Sequence, residues 1–148
     1  MTFDLDRFLA AQDPVIDQVR HELAQGRKRT HWMWFVFPQV AGLGQSAMAR
    51  RYAIASLDEA RAYLAHPVLG LRLSSCTSLV NQVETRSILQ ILGSPDDMKF
   101  RSSMTLFAVA DPGQAVFQTA LAKYFDGAPD VLTLEALGGD RDQDAGRS

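Results

Sequence analysis

Apolar residues recur along this chain at the three- and four-residue spacing of helices and almost nowhere in strict alternation. Between Pro14 and Gln25, Val15, Val19 and Leu23 fall four apart with Ile16 beside them. That stripe predicts a helix ending at Gly26, a residue able to take the left-handed conformation of a helix cap. Leu69, Leu73, Leu79 and Val80 mark a second helix from Pro67 to Gln82, interrupted by the polar run Ser74 to Ser78. Phe100, Met104 and Phe107 mark a third, opened by Ser94-Pro95-Asp96-Asp97. Its two acids fall in the first turn, where the helix dipole favours negative charge. Val116, Ala120 and Leu121 mark a fourth, from Pro112 to Phe125 and ending near Gly127.

The punctuation between these stripes agrees with them. Four of the six prolines follow a residue suited to precede a helix: Asp13, His66, Ser94 and Asp111. Proline costs little at the first helical position, because its missing N–H has no intrahelical partner there. Ser56-Leu57-Asp58-Glu59 has the form of a capping box, opening a helix to about Ala65. A short helix over Arg86 to Leu92 closes at Gly93, and a last turn, Thr133 to Leu137, at Gly138-Gly139. Residues 140–148 alternate charge without an apolar anchor, which predicts a disordered tail. The fold expected is all-α: a compact single-domain bundle of seven or eight short helices over residues 1–139.

Trp32 to Phe37 breaks the pattern, with six large apolar side chains in a row. By composition the segment suits a strand, but no partner strand is evident. Covering every face of a helix, it must be buried nearly all round, and each burial contributes roughly 1.5–3 kcal/mol. Its plainest reading is core.

Composition narrows the class. A chain of 148 residues with 47% hydrophobic and 22% charged residues can bury a core without staples. The formal net charge of −2 and pI near 5.9 argue against general nucleic-acid or membrane-surface binding. Cys76 stands alone, with no metal-ligand spacing around it, and nothing in the sequence asks for a cofactor. The N-terminus carries acids where a signal peptide needs positive charge, so a cytoplasmic location is expected. Oligomeric state is not legible.

Candidate chemistry concentrates just before and after the apolar run. Arg27, Lys28 and Arg29 follow a helix end, where cations are favoured anyway, but three together beside Trp32 and Trp34 also suit a phosphate or carboxylate. Buried tryptophans need a partner for the indole N–H and so often sit at the edge of a core, facing a polar cleft. His31 is either a structural hydrogen-bonding residue or an acid–base group. Gly42-Leu43-Gly44 leads toward a helix begun by Ser46 or a neighbour, without the glycine and lysine pattern of a phosphate loop. Lys99, Ser102 and Ser103 share a helix face opposite Phe100, Met104 and Phe107. The bland alternative there is a solvated face with Asp96–Lys99 and Asp97–Arg101 ion pairs.

Longer motifs make the chain resemble the domain-of-unknown-function 1810 family from about Leu5 to Leu137. They are Arg7-Phe8 with Gln12, the run from Gly26 to Gln39, Gly42-Leu43-Gly44 with Ser46, and Tyr63-Leu64 with His66-Pro67. Tyr52-Ala53-Ile54 with Glu59-Ala60, Leu71-Arg72-Leu73 and Asp97 through Lys99 to Phe107 complete them, with Phe100 where the family usually carries leucine. The resemblance implies a compact helical fold and brings no activity or catalytic residue. It does put His31, Gln39, Ser46, Arg72, Lys99, Ser102 and Ser103 in the family pattern, and a shared cleft would unite them. Two functions follow as expectations. One is binding of a phosphorylated or nucleotide-like small molecule, with hydrolysis open and His31 as its acid–base group. The other is a non-enzymatic interaction module that docks an acidic protein through Arg27 to Arg29.

Overall fold

The computed structural model describes the backbone of residues 3–145 and the side chains of residues 3–138. Among these residues there are ten helices: α1 Asp6–Gln12, α2 Ile16–Ala24, α3 Met33–Val36, α4 Ala47–Arg51, α5 Leu57–Ala65, α6 Leu69–Gln82, α7 Ile88–Leu92, α8 Asp96–Ala110, α9 Ala115–Phe125 and α10 Val131–Ala145. The all-α class stands, and the count exceeds the seven or eight expected. The additions are short: α1 and α3 are seven and four residues long, two turns of helix at most. The last turn does not stop at Gly138-Gly139, since α10 continues to Ala145. The tail expected at 140–148 lies beyond the described side chains, and its last three residues beyond the described backbone. No described helix is long and apolar enough to cross a membrane.

Helix α8 is the axis of the packing, meeting α5, α7, α9 and α10, while α6 packs on α2, α5 and α9. Phe100, Met104, Leu106 and Phe107 of α8 are fully buried, and so are Ser103 and Thr105. Hence α8 has no broad solvated face. Thr105 satisfies its hydroxyl by donating to Arg101 O at 2.8 Å, as a buried polar side chain must. The expected Asp97–Arg101 pair does not form either. Arg101 instead donates Nε to Ala128 O at 2.9 Å and lies over the Phe125 ring.

Around α8 the aromatics interlock edge to face, an arrangement favoured by ring quadrupoles. Phe37 and Phe100 meet at 5.0 Å and 87°, while Phe8 and Tyr63 meet at 5.1 Å and 86°. The six-residue apolar run is therefore largely core: Trp32, Met33, Phe35, Val36 and Phe37 are buried, and Trp34 is half-buried.

Helix ends follow sequence signals with revisions. Gly26 at φ +72° closes α2 with Gly26 N–H donating to Leu23 O and Arg27 N–H to Glu22 O, a Schellman motif. The four prolines stand one to three residues before their helices rather than at the first helical position. Of the residues ahead of them, His66 caps α6, its Nδ1 accepting from the N–H groups of Val68 and Leu69, and Asp111 Oδ1 accepts from Gly113 N–H in the turn before α9. At Ser56 only half of the expected box forms. Ser56 Oγ accepts from Glu59 N–H, but the Glu59 carboxylate turns to Ala55 N–H and Arg7. The reciprocal box is at Ser87 and Gln90.

One parallel bridge, Val40 to Ile54, joins the chain after α3 to the chain after α4. Ile54 N–H donates to Gln39 O and Ala41 N–H to Ile54 O, both at 2.8 Å. This bridge holds Gln39 and the glycine turn in place beside Trp34.

Candidate functional site

Glu22 organises the aromatic-basic segment, and it was not singled out by sequence. Its carboxylate is 1% exposed. Oε1 accepts from Arg29 N–H at 2.7 Å, Thr30 N–H at 3.0 Å and Trp32 Nε1–H at 3.0 Å. Oε2 accepts from Thr30 Oγ1 at 2.7 Å and Gln18 Nε2 at 3.0 Å. Burial pushes the carboxyl pKa up, but these donors outweigh it and bring the pKa down to about 2. The loop from Arg27 to Trp32 is thus wrapped around one buried anion. Its backbone faces inward, and the arginine side chains at 27 and 29 face solvent.

The wrapping separates the three consecutive cations. Lys28 turns inward, its side chain 8% exposed, and pairs with Asp96 Oδ2 at 3.0 Å while lying 5.1 Å from the Trp32 ring centroid. Asp96 also faces Lys99, but at 3.7 Å. The Lys99 ammonium lies 5.4 Å from the Trp34 centroid. Each tryptophan therefore carries one lysine on a face, with Asp96 between the two ammonium groups.

Two clefts share Gln39, each of about 250 Å³, and Trp34 lines the first. The first lies between Trp34, Gln39, the glycine turn at Gly42 and Gly44, Arg50 and Tyr52. Gly44 packs so close that a Cβ there would meet the Ala49 Cβ at 2.5 Å. The second is lined by Gln39, Met98, Lys99, Ser102, Asp130 and Leu132. Gln39 belongs to both, so the clefts adjoin. Trp34, Gln39, Lys99 and Ser102 are brought together from α3, the bridge segment and α8.

The other candidates lie elsewhere. Trp32 is 1% exposed, its indole N–H is given to Glu22 and one face is covered by Lys28, so its ring has no room to stack a ligand. His31 is exposed and lines neither cleft. Ser46 caps α4, accepting from Ala49 N–H at 3.1 Å. Arg72 pairs with Asp13 at 2.8 Å and reaches buried Gln12, whose amide donates to Phe35 O and Tyr63 Oη. Ser103 is fully buried, and its Oγ has no partner among the described residues. Cys76 is buried as well, which pushes its thiol up to about 11 and leaves it protonated at neutral pH.

Arg50 and Asp130 were missed, whereas Asp96 pairs with Lys99 as expected. A signal for Asp130 existed, since Asp130-Val131-Leu132-Thr133 has the form of a capped helix start. Its Oδ2 accepts from Thr133 N–H at 3.1 Å and from the hydroxyls of Thr133 and Ser102. Ser102 and Asp130 thus tie α8 to α10 at the edge of the second cleft. No group of three or more metal-ligating side chains occurs among the described residues.

Over residues 2–137 the chain matches the model of a family described as "Protein of unknown function (DUF1810)". It is similar to the crystal structure of the conserved hypothetical protein Rv1873 from Mycobacterium tuberculosis, at 57% identity and a TM-score of 0.91. That likeness covers 92% of this chain and 97% of the other. No curated protein matches the chain.

Proposed function

Because the chain belongs to the DUF1810 family, whose description states no activity, we propose its function from the clefts: they bind a phosphorylated, nucleotide-like small molecule. The observation that carries this reading is the half-buried indole of Trp34, which lines a cleft with the shared Gln39 and has the Lys99 ammonium over its ring. An aromatic face, an amide with no side-chain hydrogen bond among the described residues and a cation, set on three separate segments, suit a planar group joined to an anion. Arg50 lines the first cleft and adds a second cation, restrained among the described residues by a 3.4 Å side-chain hydrogen bond to Gln45. At 3.7 Å from Asp96, Lys99 is loosely paired and free to exchange that carboxylate for a ligand's phosphate.

The reading is one of binding. The hydrolytic step considered for His31 is not assigned, since its imidazole borders neither cleft. A thermal-shift screen of nucleobases, nucleotides and sugar phosphates tests the proposal. Nucleotides are expected to raise the melting temperature, and Trp34→Ala or Lys99→Ala to remove the rise. No shift with any nucleotide at millimolar concentration would refute it.

A second reading is favoured by one observation: Arg27 and Arg29 are both exposed and form no ion pair among the described residues. They suit docking of an acidic protein surface, with Lys28 withdrawn toward Asp96. In that case a partner is recovered by affinity capture, the Arg27→Glu/Arg29→Glu variant loses it, and Trp34→Ala does not.

A further inference from the structure

The two adjoining clefts differ in charge, and that difference specifies the ligand further than the reading on which this inference rests. The first cleft carries Arg50 and no carboxylate among its lining residues. The second holds a carboxylate, Asp130, together with the Lys99 ammonium among its lining residues, so their formal charges cancel. An added phosphate there gains from Lys99 and is repelled by Asp130. Hydroxyl groups meet no such conflict, because they donate to the carboxylate and accept from the ammonium and the Gln39 amide. Asp130 Oδ2 is spent on Thr133 and Ser102, whereas Oδ1 has no hydrogen-bond partner among the described residues.

Apolar surface and size agree. Met98 and Leu132, 47% and 61% exposed, flank the second cleft and offer the kind of surface on which the C–H face of a sugar packs. Each cleft alone, at about 250 Å³, falls below the roughly 300–1,000 Å³ usual for small-molecule sites, whereas the pair together falls within it. We infer that the two clefts form one bipartite site for a sugar nucleotide. The nucleotide lies against Trp34 with its terminal phosphate reaching Lys99, and an uncharged, hydroxyl-rich unit continues past Gln39 to Asp130.

The experiment compares three extensions of one nucleotide by isothermal titration on the full chain: ADP, ATP and ADP-glucose. ADP-glucose is expected to bind about tenfold more tightly than ADP, the worth of one or two hydrogen bonds to charged groups, with ATP gaining nothing. Asparagine is as good a helix cap as aspartate, so Asp130→Asn keeps α10 capped while removing the negative charge. That variant is expected to lower the ADP-glucose to ATP affinity ratio toward one. ADP binding with no gain from glucose, or a gain from the third phosphate instead, would overturn this inference and leave the nucleotide reading standing. Absence of binding by all three would remove both. The wild-type comparison decides the matter even where the variant folds poorly.

Discussion

The indole N–H of Trp32 and the carboxylate of Glu22 lie 3.0 Å apart, and this bond separates the roles of two neighbouring tryptophans. Trp32 is committed to the core and to the buried anion. Trp34, two residues on, is left half-buried with its ring beside a cleft. The same carboxylate draws in the backbone of Arg29 and Thr30, and so determines how the cationic loop meets the surface.

Glu22→Gln is expected to destabilise the fold by about 3 kcal/mol, because an amide turns donors toward donors in a buried site. Urea denaturation monitored by circular dichroism measures this. The pH dependence has a definite sign. The folded pKa, about 2, lies below the ordinary 4.5, so the carboxylate's contribution is complete above about pH 4.5 and is lost as pH falls toward 2. The wild type should lose stability through that window, and Glu22→Gln should lose less.

Acrylamide quenching distinguishes the tryptophans. With Trp34→Phe, the remaining Trp32 should be poorly quenched, whereas with Trp32→Phe the remaining Trp34 should be quenched readily. Equal quenching of the two variants would contradict the burial on which the site rests.

At Gly70 the backbone of α6 lies directly against the end of α5. A Cβ at this position would come within 2.1 Å of Leu64 O, a backbone atom that cannot swing aside. Gly70→Ala is therefore expected to cost about 3 kcal/mol, by overpacking against main chain. The change should appear as a lower urea midpoint with an unchanged slope.

Much of the fold was legible because its signals are local. Gly26 and Gly93 end helices where the apolar stripes end, and Ser46 caps the helix after the glycine turn. The site was less legible, since its geometry depends on contacts that spacing does not encode. Nothing local says that Lys28 points inward while Arg27 and Arg29 point out. That follows from Glu22, which meets the loop only after the Schellman turn reverses the chain. Ser103 fell on the same expected face as Lys99 and Ser102, yet α8 is covered on nearly every side, and only the N-terminal part of that face reaches a cleft. Asp130, 28 residues beyond Ser102, joins the site through packing of α10 on α8.

Isothermal titration of ADP into the wild-type protein and into Trp34→Ala and Lys99→Ala tests the central claim most directly, with thermal melts confirming that each variant is folded. Saturable binding by the wild type, weakened about tenfold or more in both variants, is the expected result. No binding by the wild type up to millimolar ADP, or equal binding by all three proteins, would contradict it.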